Sequence, residues 1–463
     1  MMEQERTITY HTVTLGEMTR DGDTLAEIIE QYEADEYSRG GCSSGGEEGT
    51  IVTAGDEDGD LPTLPMLRKC TLRVPAGLPG ERVTIAVEAS AQPPAGKRKR
   101  RRWKPRPPRV WITEIHEASP LRAPAPCSVF GICGGCQLQH MQYSAQLAWK
   151  RSVVQQVLHD IGGFADPPVL EVVPCDEPWH YRNHMRFSVN REGQAGLTAR
   201  GTHRVLPLAS CPIAHQQIND VLDVLSALPN ARPQVLIRCG TATNQVLMQP
   251  PPRPEAARRL LEAGIDVHAD TMEEVLAGET FRIRPSSFFQ TNTAQAEKMA
   301  QMVLDGLLHY GRPQTKDDHP FTIVDAYCGV GTFALLLAKH VDKVVAIEES
   351  ASAIKDAQEN LREVNNVEIL KGKVEDLLPV LASHVDGLVI DPPRAGCQPV
   401  VLNALVSHPV ASIVYVSCDP STLARDLHML CHIHPAYRLR AVQPLDMFPQ
   451  TAHIECVAIL ECI

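Results

Sequence analysis

No run of about 18 consecutive apolar residues occurs in the 463-residue chain, so a membrane-spanning helix is not expected. The opening MMEQERTITY has no apolar signal region, and a cytoplasmic protein is the expectation. No GKS or GKT follows any glycine loop, which argues against a nucleotide-triphosphate cradle. The cysteines lack the C-x3-C-x2-C spacing, so radical chemistry is disfavoured. No internal repeat is evident. Positive charge is also short in sum, with 44 Lys and Arg against 56 Asp and Glu, and a net of -12, taken alone, argues against a nucleic-acid partner.

That deficit is local. Residues 1–60 hold 16 acidic and 3 basic side chains, and the remainder of the chain is almost neutral. Residues 97–109, KRKRRRWKPRPPR, carry nine Lys or Arg and no acid. Such density attracts polyphosphate through counterion release, although it reads equally well as a solvated loop.

A chain of this length is too long for one core and fits two or three domains. Residues 1–125 contain strand-like runs, TITYHTVTL and CTLRVPAGLPGERVTIAVEA, that suggest a small β-barrel. The stretch near 32–62, rich in Gly, Ser and acid, cannot bury enough apolar surface to order itself and reads as a mobile insertion. Residues 126–290 begin with a cysteine motif and SAQLAWKRSVVQQVLHDIGG, a helix ending at a glycine pair. EVVPC, HMRFSVN, AGLTAR, VLIRCG, QVLMQP and TFRIRP follow, read mostly as strands of a central antiparallel domain. In residues 291–463, apolar strands alternate with helical segments, which predicts a doubly wound α/β sheet with right-handed crossovers. Ligands of such sheets sit beyond the carboxyl ends of the strands.

Just after the first of these strands, DAYCGVGTF supplies Gly329 and Gly331 for a tight turn and a close backbone approach. Glu348 ends the next strand, where a carboxylate can accept hydrogen bonds from ribose hydroxyls. The pair indicates a nucleoside-containing cofactor. The loop lacks the full GxGxxG pattern, and S-adenosylmethionine has no phosphate to cradle, so it fits better than a dinucleotide.

LVIDPPRAG places Asp391 at the next strand end, stiffened by two prolines. Enzymes acting on exocyclic amines usually carry an aromatic residue where Arg394 stands, which favours a ring-carbon target. SIVYVSCDP puts Cys418 at the end of the fifth strand, ahead of a helix N-terminus that should lower its thiol pKa. A lone cysteine is more often only a small buried residue, but its place in the cofactor crevice reverses that preference. Carbon 5 of uracil is a poor nucleophile until a thiolate adds to carbon 6, which makes Cys418 the candidate nucleophile. Glu455 is the candidate base for the carbon-5 proton and His453 its runner-up. The target base must be flipped out or presented in a loop.

Cys127, Cys133 and Cys136 have the spacing C-x5-C-x2-C, and Cys211 could complete a four-thiolate set. Spacing alone does not choose between zinc and an iron-sulfur cluster.

The segments CGGCQLQH, PWHYRNHMRFSV, SSFFQTN, DAYCGVGTF, DPPRAG, SCDPSTLARD and FPQTAHIE, taken in this order, closely resemble the bacterial RNA uracil-5-methyltransferases of ribosomal and transfer RNA. The resemblance covers nearly the whole chain. It implies an N-terminal TRAM-like barrel, an iron-sulfur and RNA-binding central domain and a C-terminal class I, Rossmann-like methyltransferase domain. It also implies S-adenosylmethionine contacts at Gln290, Tyr327, Glu348 and Asp391, with Cys418 as nucleophile and Glu455 as base. A four-iron, four-sulfur cluster on Cys127, Cys133, Cys136 and Cys211 is implied as well. Because bacterial-type transfer-RNA enzymes lack both cluster and TRAM domain, 23S ribosomal RNA is the expected partner, with transfer RNA as the alternative. No obligate protein partner or membrane is expected. The acidic stretch and the basic run are departures from the family pattern.

Two other functions fit the residues less well. An RNA cytosine-5-methyltransferase would present Pro-Cys and Thr-Cys contexts that Cys397 and Cys418 do not match. A non-catalytic RNA-binding factor sits poorly with an intact Cys418, Glu455 and Asp391.

Overall fold

The computed structural model describes residues 7–32, 66–89, 107–226, 228, 232–268, 270–310, 320–382 and 385–463. The acidic stretch near 32–62 and the basic run 97–109 fall outside these residues, apart from Tyr32 and residues 107–109. The chain divides into two compact units, Met1–Ala125 with Cys136–Gln142, and Pro126–Gly135 with Tyr143–Ile463.

In the first unit, β1 (Ile8–Thr14), β4 (Arg82–Glu88) and β5 (Arg109–Glu117) form an antiparallel sheet in the order β1-β4-β5, while β2 (Thr24–Tyr32) pairs with β3 (Met66–Val74). Both sheets turn alternate residues into one small core, in which Ile28, Leu72, Val74, Val83 and Ile85 meet. The result is the small barrel-like domain expected from the alternating pattern. Residues 136–142 belong to it because His140 reaches the Gly77 carbonyl at 3.1 Å and its own carbonyl accepts from Ala123 N.

The second unit opens with α1 (Tyr143–Asp160), which Gly162 and Gly163 end as their amides turn back to the Val157 and His159 carbonyls. A six-stranded sheet follows, made of β6 (His184–Val189), β7 (Ala195–Thr198), β8 (Val205–Pro207), β9 (Gln234–Cys239), β10 (Val246–Gln249) and β11 (Val267–His268). Its order is β11-β10-β9-β6-β7-β8, antiparallel except where β10 meets β11. The helices α2 (Gln216–Ser226) and α3 (Pro254–Glu262) lie within this stretch, and β12 (Met272–Leu276) and β13 (Glu279–Ile283) form a separate hairpin.

EVVPC is not a strand of that sheet. Val169 and Val173 make single parallel bridges to Val442 and Leu445 of the C-terminal sheet. Prolines at 167, 168 and 174 remove amide donors, so the segment can border an edge strand but cannot continue a ladder.

After α4 (Thr293–Tyr310) come the strands of the main sheet: β14 (Thr322–Ala326), β15 (Lys343–Glu348), β16 (Val367–Lys371), β17 (Gly387–Ile390), β18 (Ser412–Ser417), β19 (Tyr437–Leu445) and β20 (Glu455–Cys462). Their connecting helices are α5 (Thr332–Leu337), α6 (Ala351–Asn360), α7 (Val374–Leu381), α8 (Pro399–Ser407) and α9 (Pro420–His428). The order is β16-β15-β14-β17-β18-β20-β19, parallel through β18, with β20 antiparallel to both its neighbours. The reversal at the end was not foreseen from the alternation of strands and helices.

The sheet is covered on both faces. Val324, Val345, Ile390 and Tyr415 pack on one side with residues of α1, α8 and α9, whereas Ile323, Val344, Val389 and Val414 pack on the other with α4 and α5. Each such aliphatic side chain contributes roughly 1.5–3 kcal/mol on burial, which fixes the strand ends rigidly. The chain leaves β14 toward β15 on one side and occupies β17 on the other, so a crevice opens where these strands terminate.

Candidate active site

At the end of β14 the backbone turns sharply. Tyr327, Gly329 and Gly331 all have left-handed φ values of 65°, 57° and 87°. Such a value in Tyr327 is costly for a side chain and marks a functionally constrained turn. A Cβ on Gly331 would lie 3.0 Å from the Leu361 side chain, so glycine there serves helix packing as well as the turn. At Gly329 a Cβ would meet no protein atom within 4 Å, leaving the backbone open to a ligand.

Glu348, as expected, closes β15 beside this loop. One carboxylate oxygen accepts from Gly329 N at 3.0 Å and the other from Ser350 N at 2.6 Å. The carboxylate is thereby fixed in orientation, with further lone pairs free to accept hydroxyl donors. Tyr327 donates its hydroxyl to Glu375 at 3.1 Å. Gln290 stands just before α4, where Asn183 Nδ2 donates to its carbonyl oxygen at 3.2 Å. Among the described residues no hydrogen bond joins its side chain to the glycine loop.

Asp325 is a member that sequence reasoning missed. It is fully buried, accepts from Ala334 N at 2.8 Å, and leaves its other oxygen without a partner. Burial first, and then the neighbouring Asp391 and Glu348, raise its carboxyl well above the usual range. Its signal was an acid inside the otherwise apolar strand TIVDA.

The thiol end lies at the adjoining strand ends. Ser417 pairs with Cys456 across β18 and β20, so one step further brings Cys418 alongside Glu455, the first residue of β20. Asp391 follows β17, the other neighbour of β18, and donates its amide to the Ala326 carbonyl. Cys418 is half-buried and thus open to approach. Glu455 is buried, and burial followed by the charge of Asp391 raises its carboxyl well above the ordinary value. Burial pushes Asp391 up to about 7. The structure therefore brings Cys418, Glu455 and Asp391 together.

The expected lowering of the Cys418 thiol is not found. Asp419 does cap α9, its carboxylate accepting from Ser421 N, but burial and the carboxylates of Glu455 and Asp391 push the thiol up to about 11, against a smaller opposing effect of Arg394. Burial comes first and the two carboxylates second, and both act against the thiolate that a helix N-terminus favours. His453, the runner-up base, packs edge-on against Phe448, with ring centroids 5.8 Å apart. Burial, Arg394, Lys150 and Arg182 lower its pKa.

Comparison with known proteins decides the family. A family model described as tRNA (uracil-5-)-methyltransferase matches residues 258–463. An uncharacterised RNA methyltransferase of Gloeobacter violaceus is 36% identical over 401 residues, covering 76% of this chain and 85% of that protein. The chain belongs to the RNA uracil-5-methyltransferase family. Another uncharacterised RNA methyltransferase, from Listeria monocytogenes, is 31% identical over 85% of this chain and 93% of its own. Among solved structures, the Pyrococcus abyssi tRNA (uracil-54, C5)-methyltransferase in complex with S-adenosyl-L-homocysteine aligns with a TM-score of 0.61. It is 25% identical and covers 84% of this chain and 95% of that one.

Membership in this RNA uracil-5-methyltransferase family makes the chain a transferase that uses S-adenosylmethionine and acts on RNA. The crevice suits that donor. A cation entering beside Asp325, Glu348, Asp391 and Glu455 would favour their ionised forms, and the donor carries a sulfonium and an ammonium group. Among the described residues no helix is long and apolar enough to cross a membrane.

Of the expected ligand set, Cys127, Cys133 and Cys211 lie in the second unit and Cys136 in the first. Among the described residues no group of three or more His, Cys, Asp or Glu is arranged to hold a metal ion. Burial raises the thiols of Cys133 and Cys211, and their neighbours raise them further, Cys127 acting on both and Cys133 on Cys211. In that protonated form a thiol packs as a small apolar group, as Cys133 does against Ala199 and Leu206. Cys127, Cys133 and Cys211 are nevertheless near neighbours within the second unit, and Gly135 N points at Cys133 Sγ from 3.4 Å. Cys136 belongs to the first unit.

Proposed function

We propose that this protein methylates carbon 5 of a uridine in RNA, with Cys418 as covalent nucleophile and Glu455 as base. The observation that carries the reading is the convergence of Cys418, Glu455 and Asp391 on neighbouring strand ends, beside a glycine loop open to a ligand. Gly329, Gly331, Tyr327, Glu348, Asp391 and Gln290 are assigned to the cofactor. S-adenosylmethionine, when bound there, supplies the methyl group that carbon 5 receives.

The Cys418 thiolate adds to carbon 6 of the extruded uracil, forming an S–C6 bond and moving the ring electrons onto carbon 5 and the carbon-4 oxygen. Once carbon 5 is methylated, Glu455 takes its proton. The electrons of that C–H bond restore the C5–C6 double bond, the S–C6 bond breaks, and the thiolate is released. A raised carboxyl pKa makes Glu455 a competent acceptor near neutral pH once it is ionised. For the thiol, the high resting pKa keeps the side chain protonated until a cation enters the acidic crevice and favours thiolate.

The proposed substrate is 23S ribosomal RNA, from the family resemblance of the barrel and the cysteine motif. Transfer RNA is the second reading, favoured by the Pyrococcus abyssi neighbour. Mapping 5-methyluridine by mass spectrometry in both RNAs, from cells with and without this protein, separates the two. Loss from 23S ribosomal RNA supports the first, loss from transfer RNA the second, and appearance of 5-methylcytidine as the affected base refutes both.

A four-iron, four-sulfur cluster is proposed on the thiols of Cys127, Cys133 and Cys211, which gather within one unit. Cys136 enters this reading through the sequence motif alone. Bound iron would offset the repulsion among neighbouring thiolates. Anaerobically purified protein should contain iron and sulfide near four of each per chain, and zinc alone would overturn the assignment.

A further inference from the structure

The loop between β19 and β20, residues 446–454, delivers Glu455 to the crevice, and buried polar side chains from distant parts of the second unit hold it. Lys150, in the middle of α1, is fully buried, and its Nζ donates to Asp446 Oδ1 at 2.6 Å and to the Phe448 carbonyl at 3.1 Å. One turn earlier on the same face, Gln146 exchanges two hydrogen bonds with Gln450, donating from Nε2 at 3.0 Å and accepting from the Gln450 amide at 3.2 Å. Asn292 Nδ2 donates to the Met447 carbonyl, Gln295 Nε2 to that of Asp446, and the Tyr181 hydroxyl to that of Pro449. Gln450 itself sits at a left-handed φ of 69°, a conformation that such bonds must maintain.

A buried lysine-carboxylate pair is a poor stabiliser, because desolvating both charges costs about as much as their attraction returns. It does fix geometry, since either partner left alone is strongly penalised. The pair joins α1 to the residue that immediately follows β19, nine positions before Glu455 in sequence. Tyr143, at the start of α1, also lies beside Asp446, so the helix faces this residue from two positions.

We propose that Lys150, with Gln146, is a positioning residue for the proton-removal step: it locks the 446–454 loop so that Glu455 faces the carbon-5 proton of the Cys418-bound base. This rests on the roles proposed above for Cys418 and Glu455. Misplacing a reacting group by about 1 Å costs on the order of a hundredfold, and the cost falls on the step that Glu455 performs. Addition of the Cys418 thiolate precedes it and does not use Glu455.

The test uses the full-length protein with unmodified uridine RNA and S-adenosylmethionine. Lys150→Met, Gln146→Leu and the charge-free double variant Lys150→Met/Asp446→Leu are compared with wild type for turnover, thermal midpoint, and protein–RNA adduct surviving denaturation. The double variant restores an uncharged, packed core, so a purely structural role predicts wild-type turnover once its thermal midpoint is regained. The expected result is turnover reduced about tenfold or more in the double variant and in Gln146→Leu, with methylated adduct accumulating and S-adenosylmethionine affinity changed less than about threefold. Lys150→Arg, which keeps the charge, should recover part of the rate. Wild-type turnover without adduct in the folded double variant and Gln146→Leu overturns the inference, as does slow turnover without adduct. Failure of wild type to form an adduct with 5-fluorouridine RNA would instead defeat the underlying nucleophile assignment.

Discussion

The two ends of the crevice are built in opposite ways from the same kind of side chain. At the glycine-loop end, Glu348 has both carboxylate oxygens held by backbone amides, which orients it at little electrostatic cost. At the thiol end, Asp391 and Glu455 are desolvated beside one another and beside Cys418; burial raises all three, and like charge adds to it at Glu455 and Cys418. The first arrangement suits recognition, because a fixed acceptor binds hydroxyls without reorganising. The second suits proton transfer, because groups with displaced proton affinities are ready to exchange protons when a cation arrives.

The largest effect expected of this division comes from Cys418→Ala. Methylation should fall by at least about 10⁴-fold, and the adduct with 5-fluorouridine RNA should vanish, while S-adenosylmethionine binding measured by calorimetry stays near wild type. Loss of cofactor binding in this variant would break the separation between the two ends.

Next comes Glu455→Gln, for which turnover should drop about 10²–10⁴-fold with adduct accumulating on ordinary RNA. The same substitution sharpens the electrostatic side of the comparison. Burial and Asp391 raise the folded-state pKa of Glu455 above its unfolded value. Its proton-linked contribution to stability is full below the unfolded pKa and is lost as pH rises through the folded one. At pH 8, well above the unfolded pKa, the buried carboxyl therefore destabilises the fold, and Glu455→Gln should raise Tm by roughly 2–4 °C for each kcal/mol relieved, with the gain shrinking toward pH 4. A lower Tm at pH 8 would contradict the strain assigned to this end.

A smaller effect belongs to the other end. Glu348→Ala removes an oriented charged acceptor, so S-adenosylmethionine Kd should rise about 10–100-fold, while alkylation of Cys418 by iodoacetamide keeps its wild-type pH profile. The smallest effect is expected from Asp391→Asn. Removing one of the two negative neighbours favours thiolate, and alkylation of Cys418 at pH 9 should become roughly two- to fivefold faster, its profile moving to lower pH. A shift to higher pH would show that Asp391 does not act on the thiol through its charge.

The chain carried the crevice plainly where chemistry and local geometry coincide. Gly329, Gly331, Glu348, Asp391 and Cys418 all directly follow or end apolar runs, and a parallel sheet places such residues on one edge whatever the details of packing. Glu455 was legible as an acid among apolar residues, although the reversal of β20 that sets it beside Cys418 depends on strand register, which single-chain periodicity does not specify. Lys150 was hidden because a lysine within an amphipathic helix reads as solvated, and only the tertiary fold turns it inward onto Asp446. EVVPC was misplaced for a related reason: its alternation suits a strand, but the prolines around it decide which edge it can border. The expected acidity of Cys418 failed because the helix terminus was visible in the sequence, whereas the burial of the thiol and its closeness to two carboxylates were not.

The central claim is tested most directly by mass spectrometric mapping of the covalent complex formed between wild-type protein, 5-fluorouridine RNA and S-adenosylmethionine. The account predicts one cross-linked peptide, containing Cys418 joined to a fluorouridine nucleotide that carries an added methyl group. A cross-link on any other cysteine, or one that persists in Cys418→Ala, would contradict it.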